Sequence, residues 1–188
     1  MKKVLYLIIL LCLIFGTNNY KDLGQLAIIT NIGIEKEDND YIVTFQEIMP
    51  SLSNNKVDKK YNYYRNRSSD LVHAFNSLAD DITKDIYLEH LENIIIKTED
   101  KKVIKELDKV MRNDLDNFNI ILSDSNLKKV MSYRNNYKYV NTVIKDNITL
   151  RTIKKNKLEK KSTKIPIVKL ENNRLLFYKY IRLGEQYE

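Results

Sequence analysis

A chain of 188 residues has room for one domain with a genuine core and, once its apolar leader is set aside, too little for two large ones. With 43% hydrophobic and 30% charged residues, 4 Gly and 2 Pro, it is neither a disordered tail nor a collagen-like or repeat-built chain. Lys and Arg total 32 against 25 Asp and Glu, a formal +7 that favours anionic partners, and the single cysteine, Cys12 in the leader, excludes a disulfide, a thiolate metal site and a cysteine nucleophile from the body.

The chain opens with Met1, Lys2 and Lys3, an apolar run from Val4 to Phe15, then Gly16, Thr17 and polar NNYKD. This is the order of an export signal, and the run is shorter than the roughly 20 apolar residues of a bilayer span. Residues 1–17 therefore read as a signal peptide or membrane-anchor leader, and 18–188 as one α+β domain. Cys12 is a poor lipid site. Bacterial lipidation wants a small residue immediately before the cysteine, and here Leu10 and Leu11 precede it, in mid-run. Cleavage after Gly16 is an alternative, although Ile14 and Phe15 are larger than an A-x-A site prefers.

In the body, QLAIITNIGIEK (Gln25 to Lys36) is β-branched and apolar, and EDND followed by YIVTFQEIM makes the turn and return of a hairpin. In the return strand Ile42, Thr44, Gln46 and Ile48 alternate with Val43, Phe45 and Glu47, so both faces are expected to be partly buried. Pro50 is expected to end it, and SLSNNKVDKK to form a polar loop before an extended YNYYRNRS. Ser68 or Ser69 then caps a helix whose Leu71, Phe75, Leu78 and Ile82 recur at helical spacing. LENIIIK reads as a strand, Asp100 to Met111 as a helix with Val103, Leu107, Val110 and Met111 inward, NFNIILS as a third core strand and SNLKKVM as a short helix. Between Ser132 and Thr163 one or two helices are expected from Val140, Val143 and Ile144 and from Leu150, Ile153 and Leu158; IPIVKLE and RLLFYKYIRL are strands around the ENN turn. Interleaved strands and helices that begin with a hairpin indicate an α+β fold, a mixed and largely antiparallel sheet with helices packed on it.

Catalytic chemistry is not legible. No Gly-rich phosphate loop occurs, and His73 and His90 are far apart, without HxxxH or HxH spacing. His73 falls opposite Leu71 and Leu78 and reads as solvent-exposed, whereas His90 sits before a strand, where it can bond a turn or an edge. Asp80 with Asp81 and Glu99 with Asp100 suit helix ends, and Asp70 suits the first turn of its helix. We expect no catalytic residue, no cofactor and no metal. The basic stretch KKNKLEKKSTK, Lys154 to Lys164, carries much of the surplus charge and reads as a solvated face. YNYY (Tyr61, Tyr63, Tyr64) with Arg65 and Arg67, and YRNNYKY (Tyr133, Tyr137, Tyr139), interleave aromatics with bases as a single-strand binder does. Tyrosine is equally a common strand residue, and an export-like leader argues against nucleic acid.

The order of segments resembles the N-terminal part of the Ger(x)C family, the C subunit of spore germinant receptors, lipoproteins on the outer face of the spore inner membrane. Members begin with a pattern like G-C-W-D-x-x-E-[IL]-x-x-L-A-[IV]-[IV]-T-x-x-G-[IV]-[DE]-K and a strand ending in proline. This chain has GTNNYKDLGQLAIITNIGIEK and then YIVTFQEIMP. SDLVHAFNSLADDI and YLEHLENIIIK are similar to the family's next helix and H-L strand, which places His90 at that histidine. VMRNDLDNFNIILSDSNLKKVM and KIPIVKLENNRLLFYKY resemble the segments that follow. The family's lipid-bearing cysteine aligns with Thr17, which has no thiol, so no lipid attachment site is expected at Thr17 or Cys12. Members are also longer, which makes this chain read as a short copy of their first domain.

The resemblance implies a non-enzymatic accessory subunit that acts in germination with two integral-membrane receptor subunits, at a membrane surface and without nucleic acid. The other readings are a free-standing extracytoplasmic module for a peptide or ligand, and a basic nucleic-acid-binding protein.

Overall fold

The computed structural model describes residues 23–53, 56–111, 118–133, 148–172 and 174–183. The leader with Cys12 and Thr17, the helical face at Val140 to Ile144, and Tyr137 and Tyr139 lie outside them.

A 3-10 turn at Leu23–Gln25 leads into β1 (Leu26–Glu37). Asp38 and Asn39, with φ of 50° and 74°, turn the chain straight back into β2 (Asp40–Ser53). Two consecutive positive φ values make a turn whose twist matches that of the strands, and Asp and Asn tolerate that region better than most side chains. The expected hairpin is present. It extends further than expected, because β2 runs through Pro50 to Ser53 and β3 (Lys56–Ser68) begins at once, so SLSNNKVDKK is mostly ladder and not loop. Past Glu47 strand β2 has β3 but no longer β1 beside it, and a proline is tolerated where one side of a strand is open.

Helix α1 (Leu71–Asp81) buries Leu71, Ala74, Phe75 and Leu78. Its cap is Asp70 and not either serine: the Asp70 carboxylate accepts from the His73 N–H at 2.9 Å, while the Ser68 hydroxyl accepts from the Asp70 N–H. Short β4 (Asp85–Tyr87) and then β5 (Asn93–Lys97) follow. The segment expected as one helix over Asp100 to Met111 is a 3-10 stretch, Thr98–Glu106, continued by a single α turn, α2 (Leu107–Val110). The backbone kinks at Asp100, whose carboxylate accepts from the Lys36 N–H at 2.7 Å and so holds this segment to the end of β1. Val103, Leu107 and Met111 still point inward, together with Ile104. β6 (Asn119–Ser123), α3 (Leu127–Met131), α4 (Leu150–Leu158), β7 (Thr163–Glu171) and β8 (Arg174–Leu183) complete the described chain.

The strands form one sheet in the order β3-β2-β1-β5-β6-β7-β8, with β4 alongside the start of β1. The long outer ladders, β1–β2, β2–β3 and β7–β8, are antiparallel; the inner ones, β1–β5, β5–β6 and β6–β7, are parallel. The mixed α+β architecture expected from the sequence is the one observed. The central strands are buried on both faces, as such a position requires: β5 and β6 read NIIIK and NIILS, with Ile94, Ile95, Ile96, Ile120, Ile121 and Leu122 all inside.

One face carries the larger core, where Ile32, Ile34, Ile94, Ile96, Ile120 and Leu122 meet α1, the 3-10 segment and Leu150 of α4. Phe45 and Phe75 pack edge to face there, with centroids 4.7 Å apart. The opposite face carries Ile95, Ile121, Val168 and Leu175 under α3, whose Leu127, Val130 and Met131 are buried. Gly33 permits that helix to sit close: a Cβ at position 33 would lie 3.1 Å from the Met131 Cε.

Helix α4 ends with Lys160 at a φ of 53°, its N–H bonded to the Lys157 carbonyl and the next N–H, of Lys161, to that of Asn156. This is the six-to-one, five-to-two closure that glycine favours. Lys160→Gly removes the left-handed strain at the cost of a freer unfolded chain, and is expected to raise the unfolding free energy in urea by about 0.5 kcal/mol; Lys160→Val should lower it.

Candidate functional site

A row of polar side chains crosses five neighbouring strands at one register. Asn119 pairs with Asn93, Asn93 with Asn31, Asn31 with Gln46 and Gln46 with Tyr63. The side chains bond along that row: Asn119 Nδ2 donates to Asn93 Oδ1 (3.5 Å), Asn93 Nδ2 to Asn31 Oδ1 (2.8 Å) and Asn31 Nδ2 to Gln46 Oε1. Gln46 Nε2 then donates both to the Tyr63 hydroxyl and to the Met131 carbonyl, each at 2.9 Å. Gln46 and Asn93 are wholly enclosed. The row thus ties β6, β5, β1, β2 and β3 to the C-terminal end of α3, and every amide in it has a partner.

The row depends on a bulge. Between Ile29 and Asn31 the β1–β2 register slips, leaving Thr30 as the extra residue, and its hydroxyl also donates to Gln46. The slip changes which residues face the larger core, from Ala27 and Ile29 before it to Ile32 and Ile34 after it. Asn31 is thereby turned toward the α3 face.

On the larger-core side Glu47 is buried, its side chain 2% exposed, and Lys84 meets it at 2.6 Å. The Tyr64 hydroxyl donates to its other oxygen at 2.8 Å and in turn accepts from Asn62. Both carboxylate oxygens are therefore satisfied, which is what a buried charge needs. The bond to Glu47 holds the Lys84 ammonium above its usual value, and burial followed by the same carboxylate raises the Tyr64 phenol. Tyr41 donates to Glu106 at 2.8 Å; burial, then that bond, pushes its phenol up to about 12.

Tyr63 and Tyr64 of β3 are engaged with the sheet, and Arg65 and Arg67 form ion pairs on its surface. Tyr63 and Tyr64 are half-buried on opposite faces of the sheet, and Lys128 lies over the Tyr63 ring. Arg65 pairs with Glu35 at 3.4 Å, and Arg67 with Asp40 at 2.8 Å and with Glu37 and Asp38 around the first turn. These rings and guanidinium groups hold the sheet and do not line up as a base-stacking platform. Tyr133 packs against the α3 core.

His73 is exposed, as expected, with Ser77 beside its ring at 3.2 Å; His90 is exposed too, its ring edge-on to Tyr87. Asp80 and Asp81 are exposed at the end of α1. Asp100 is the exception among the predicted helix-end acids: burial raises its carboxyl above the ordinary value while it accepts from Lys36. Among the described residues no group of three or more His, Cys, Asp or Glu could hold a metal ion. The sequence reading missed the polar row, since asparagines at 31, 93 and 119 carry no local signal; their one shared trait is a place at or next to the start of an isoleucine run.

Residues 19–165 match the family model described as "Spore germination protein N-terminal domain". No curated protein and no solved structure matches the chain significantly.

Gln46→Leu keeps the volume but leaves Asn31, Tyr63 and the Met131 carbonyl short of a partner. At about 1–3 kcal/mol for each buried orphan, a loss of roughly 3 kcal/mol in urea unfolding is expected, against about 1 kcal/mol for Tyr63→Phe. A second expectation concerns alkali. Folding raises the Tyr41 pKa from about 10 to about 12, so the folded state holds that proton more tightly and stability falls as pH rises through this window. Tyr41→Phe should flatten that part of the stability profile and remove one tyrosinate step near pH 12 from an absorbance titration.

Proposed function

The chain belongs to the spore germination protein N-terminal domain family, and on that premise we propose that it is a non-enzymatic accessory subunit of a spore germinant receptor, working at the outer face of the spore inner membrane with two integral-membrane subunits. The observation that carries the reading is the extent of the family match, which runs from before β1 to the start of β7 and takes in β1 to β6 and the helices between them.

The interior supports a binding role over a catalytic one. Its buried acid, Glu47, has both oxygens taken, by Lys84 and Tyr64, and its buried amides are spent on one another. Groups paired in this way stabilise a rigid scaffold. What the domain offers to partners is its surface. Among the described residues no helix is long and apolar enough to cross a membrane. In this reading the apolar leader, the partner subunits, or both hold the protein at the membrane.

The test is made in spores. Fractionation should recover the protein with the inner membrane, detergent extraction should bring the two integral-membrane subunits down with it, and deletion should abolish the response to at least one germinant. Recovery in the soluble cytoplasm together with unchanged germination would sink the proposal. The mass of its N-terminal peptide decides between a chain retained from Met1 and one cleaved or lipidated in the leader.

A further inference from the structure

Leu158 is 86% exposed, the most exposed large hydrophobic residue among those described. It sits in the last turn of α4, whose opposite face is fastened down: Leu150 is buried, Ile153 packs on the larger core, and Asn156 donates to the Thr163 hydroxyl at 3.1 Å. The helix is therefore fixed in orientation, and the outward stripe is a property of the fold. Arg151, Lys155 and Leu158 fall along that stripe at spacings of four and three residues, all exposed. Lys157, Lys160 and Lys161 are exposed around the leucine. From Arg151 to Lys164 there are seven basic residues and one acid, Glu159, which Lys161 meets at 2.6 Å and Lys155 at 3.9 Å.

We propose that the outer face of α4 is a docking surface for an anionic lipid bilayer, with Leu158 entering the headgroup boundary and the surrounding lysines contacting lipid phosphates. This rests on the reading that the protein works at a membrane, and names the part of the domain that touches it. The chemistry selects lipid over other anions. Lysine ammonium groups are flexible point charges suited to a mobile headgroup layer, and their long apolar stems lie along the boundary while the charges reach the phosphates. Single-strand nucleic-acid sites pair such basic residues with aromatic rings on which the nucleobases stack, and α4 carries no aromatic residue. Leu158 gains by leaving water for the bilayer surface. The Schellman closure at Lys160 keeps this turn compact, so leucine and lysines present together.

The full chain is mixed with vesicles of equimolar phosphatidylglycerol and phosphatidylcholine, and with pure phosphatidylcholine vesicles to register whatever the leader contributes. Wild type should partition more strongly onto the anionic vesicles, and salt should weaken that excess. The triple variant Lys155→Glu, Lys157→Glu, Lys161→Glu should cut anionic partitioning by about 100-fold or more, and Leu158→Asp by about tenfold. The triple variant should lower the urea midpoint slightly, because Lys155 and Lys161 leave Glu159 and acids oppose the helix dipole. Both variants should still unfold cooperatively and leave the phosphatidylcholine control unchanged, and Lys155→Gln with Lys157→Gln should give an intermediate loss of anionic binding at a near-native midpoint. Variants that bind the anionic vesicles like wild type would overturn the proposal, as would displacement of the protein from vesicles by single-stranded RNA at matched charge. Loss of the α4 surface in this assay is separable from loss of the receptor reading: a protein that fractionates with the spore inner membrane yet shows no charge-dependent vesicle binding refutes the surface and leaves the subunit assignment standing.

Discussion

The buried amides of Asn31, Asn93, Asn119 and Gln46 must be paired with one another, and that requirement governs the sheet. A strand slipped by one residue would carry its amide to the wrong face and leave several polar groups orphaned in a nearly dry interior, at a cost comparable to a large share of a domain's whole stability. Isoleucine runs alone tolerate slippage, because NIIIK and NIILS present similar apolar faces in either direction of shift. The asparagine that opens each of β5 and β6 removes that freedom. Hydrogen bonds here act chiefly through specificity, since each satisfied amide gains little over water while each broken one loses much.

Register then fixes the layers. With Asn31 committed to the α3 face by the bulge at Thr30, Gly33 comes to lie under Met131, and the short α3 helix can approach the sheet closely enough for its last carbonyl to receive Gln46. On the other face the same register aligns Ile32, Ile94 and Ile120 into one apolar band for α1, the 3-10 segment and α4. The placement of α4 is a consequence, because Leu150 and Ile153 have an apolar surface to meet only when that band is assembled. Its lysine-rich outer face is then presented to solvent in a defined orientation.

Among the described residues, Tyr41, Tyr63, Tyr64 and Arg67 are held in structural hydrogen bonds or ion pairs, whereas His73, His90, Asp80 and Asp81 lie on the surface. Acids of the first turn, Glu37, Asp38 and Asp40, gather around Arg67, whereas on α4 Lys154 pairs with Asp108 and Lys155 with Glu159, leaving the bases in excess. That excess gives α4 a basic outer face among the described residues.

The sequence by itself determined the strands whose apolar runs are long or β-branched, β1, β2, β5, β6, β7 and β8, and the helices α1 and α3, because periodicity and β-branching are local signals. It also determined the first turn, where Asp and Asn accept positive φ, and the family, through the order of its segments. The fold decided the rest. Pro50 continues a strand because β2 has lost a neighbour there, the Thr98–Glu106 segment kinks at Asp100 where the Lys36 N–H holds its carboxylate, and Asp70 outcompetes two serines for the cap by reaching the third N–H of the helix. Above all, three asparagines and a glutamine distant in sequence become one hydrogen-bonded row only when five strands are side by side. Partners 15 to 85 residues apart leave no local trace in the chain, so only tertiary structure could bring them together.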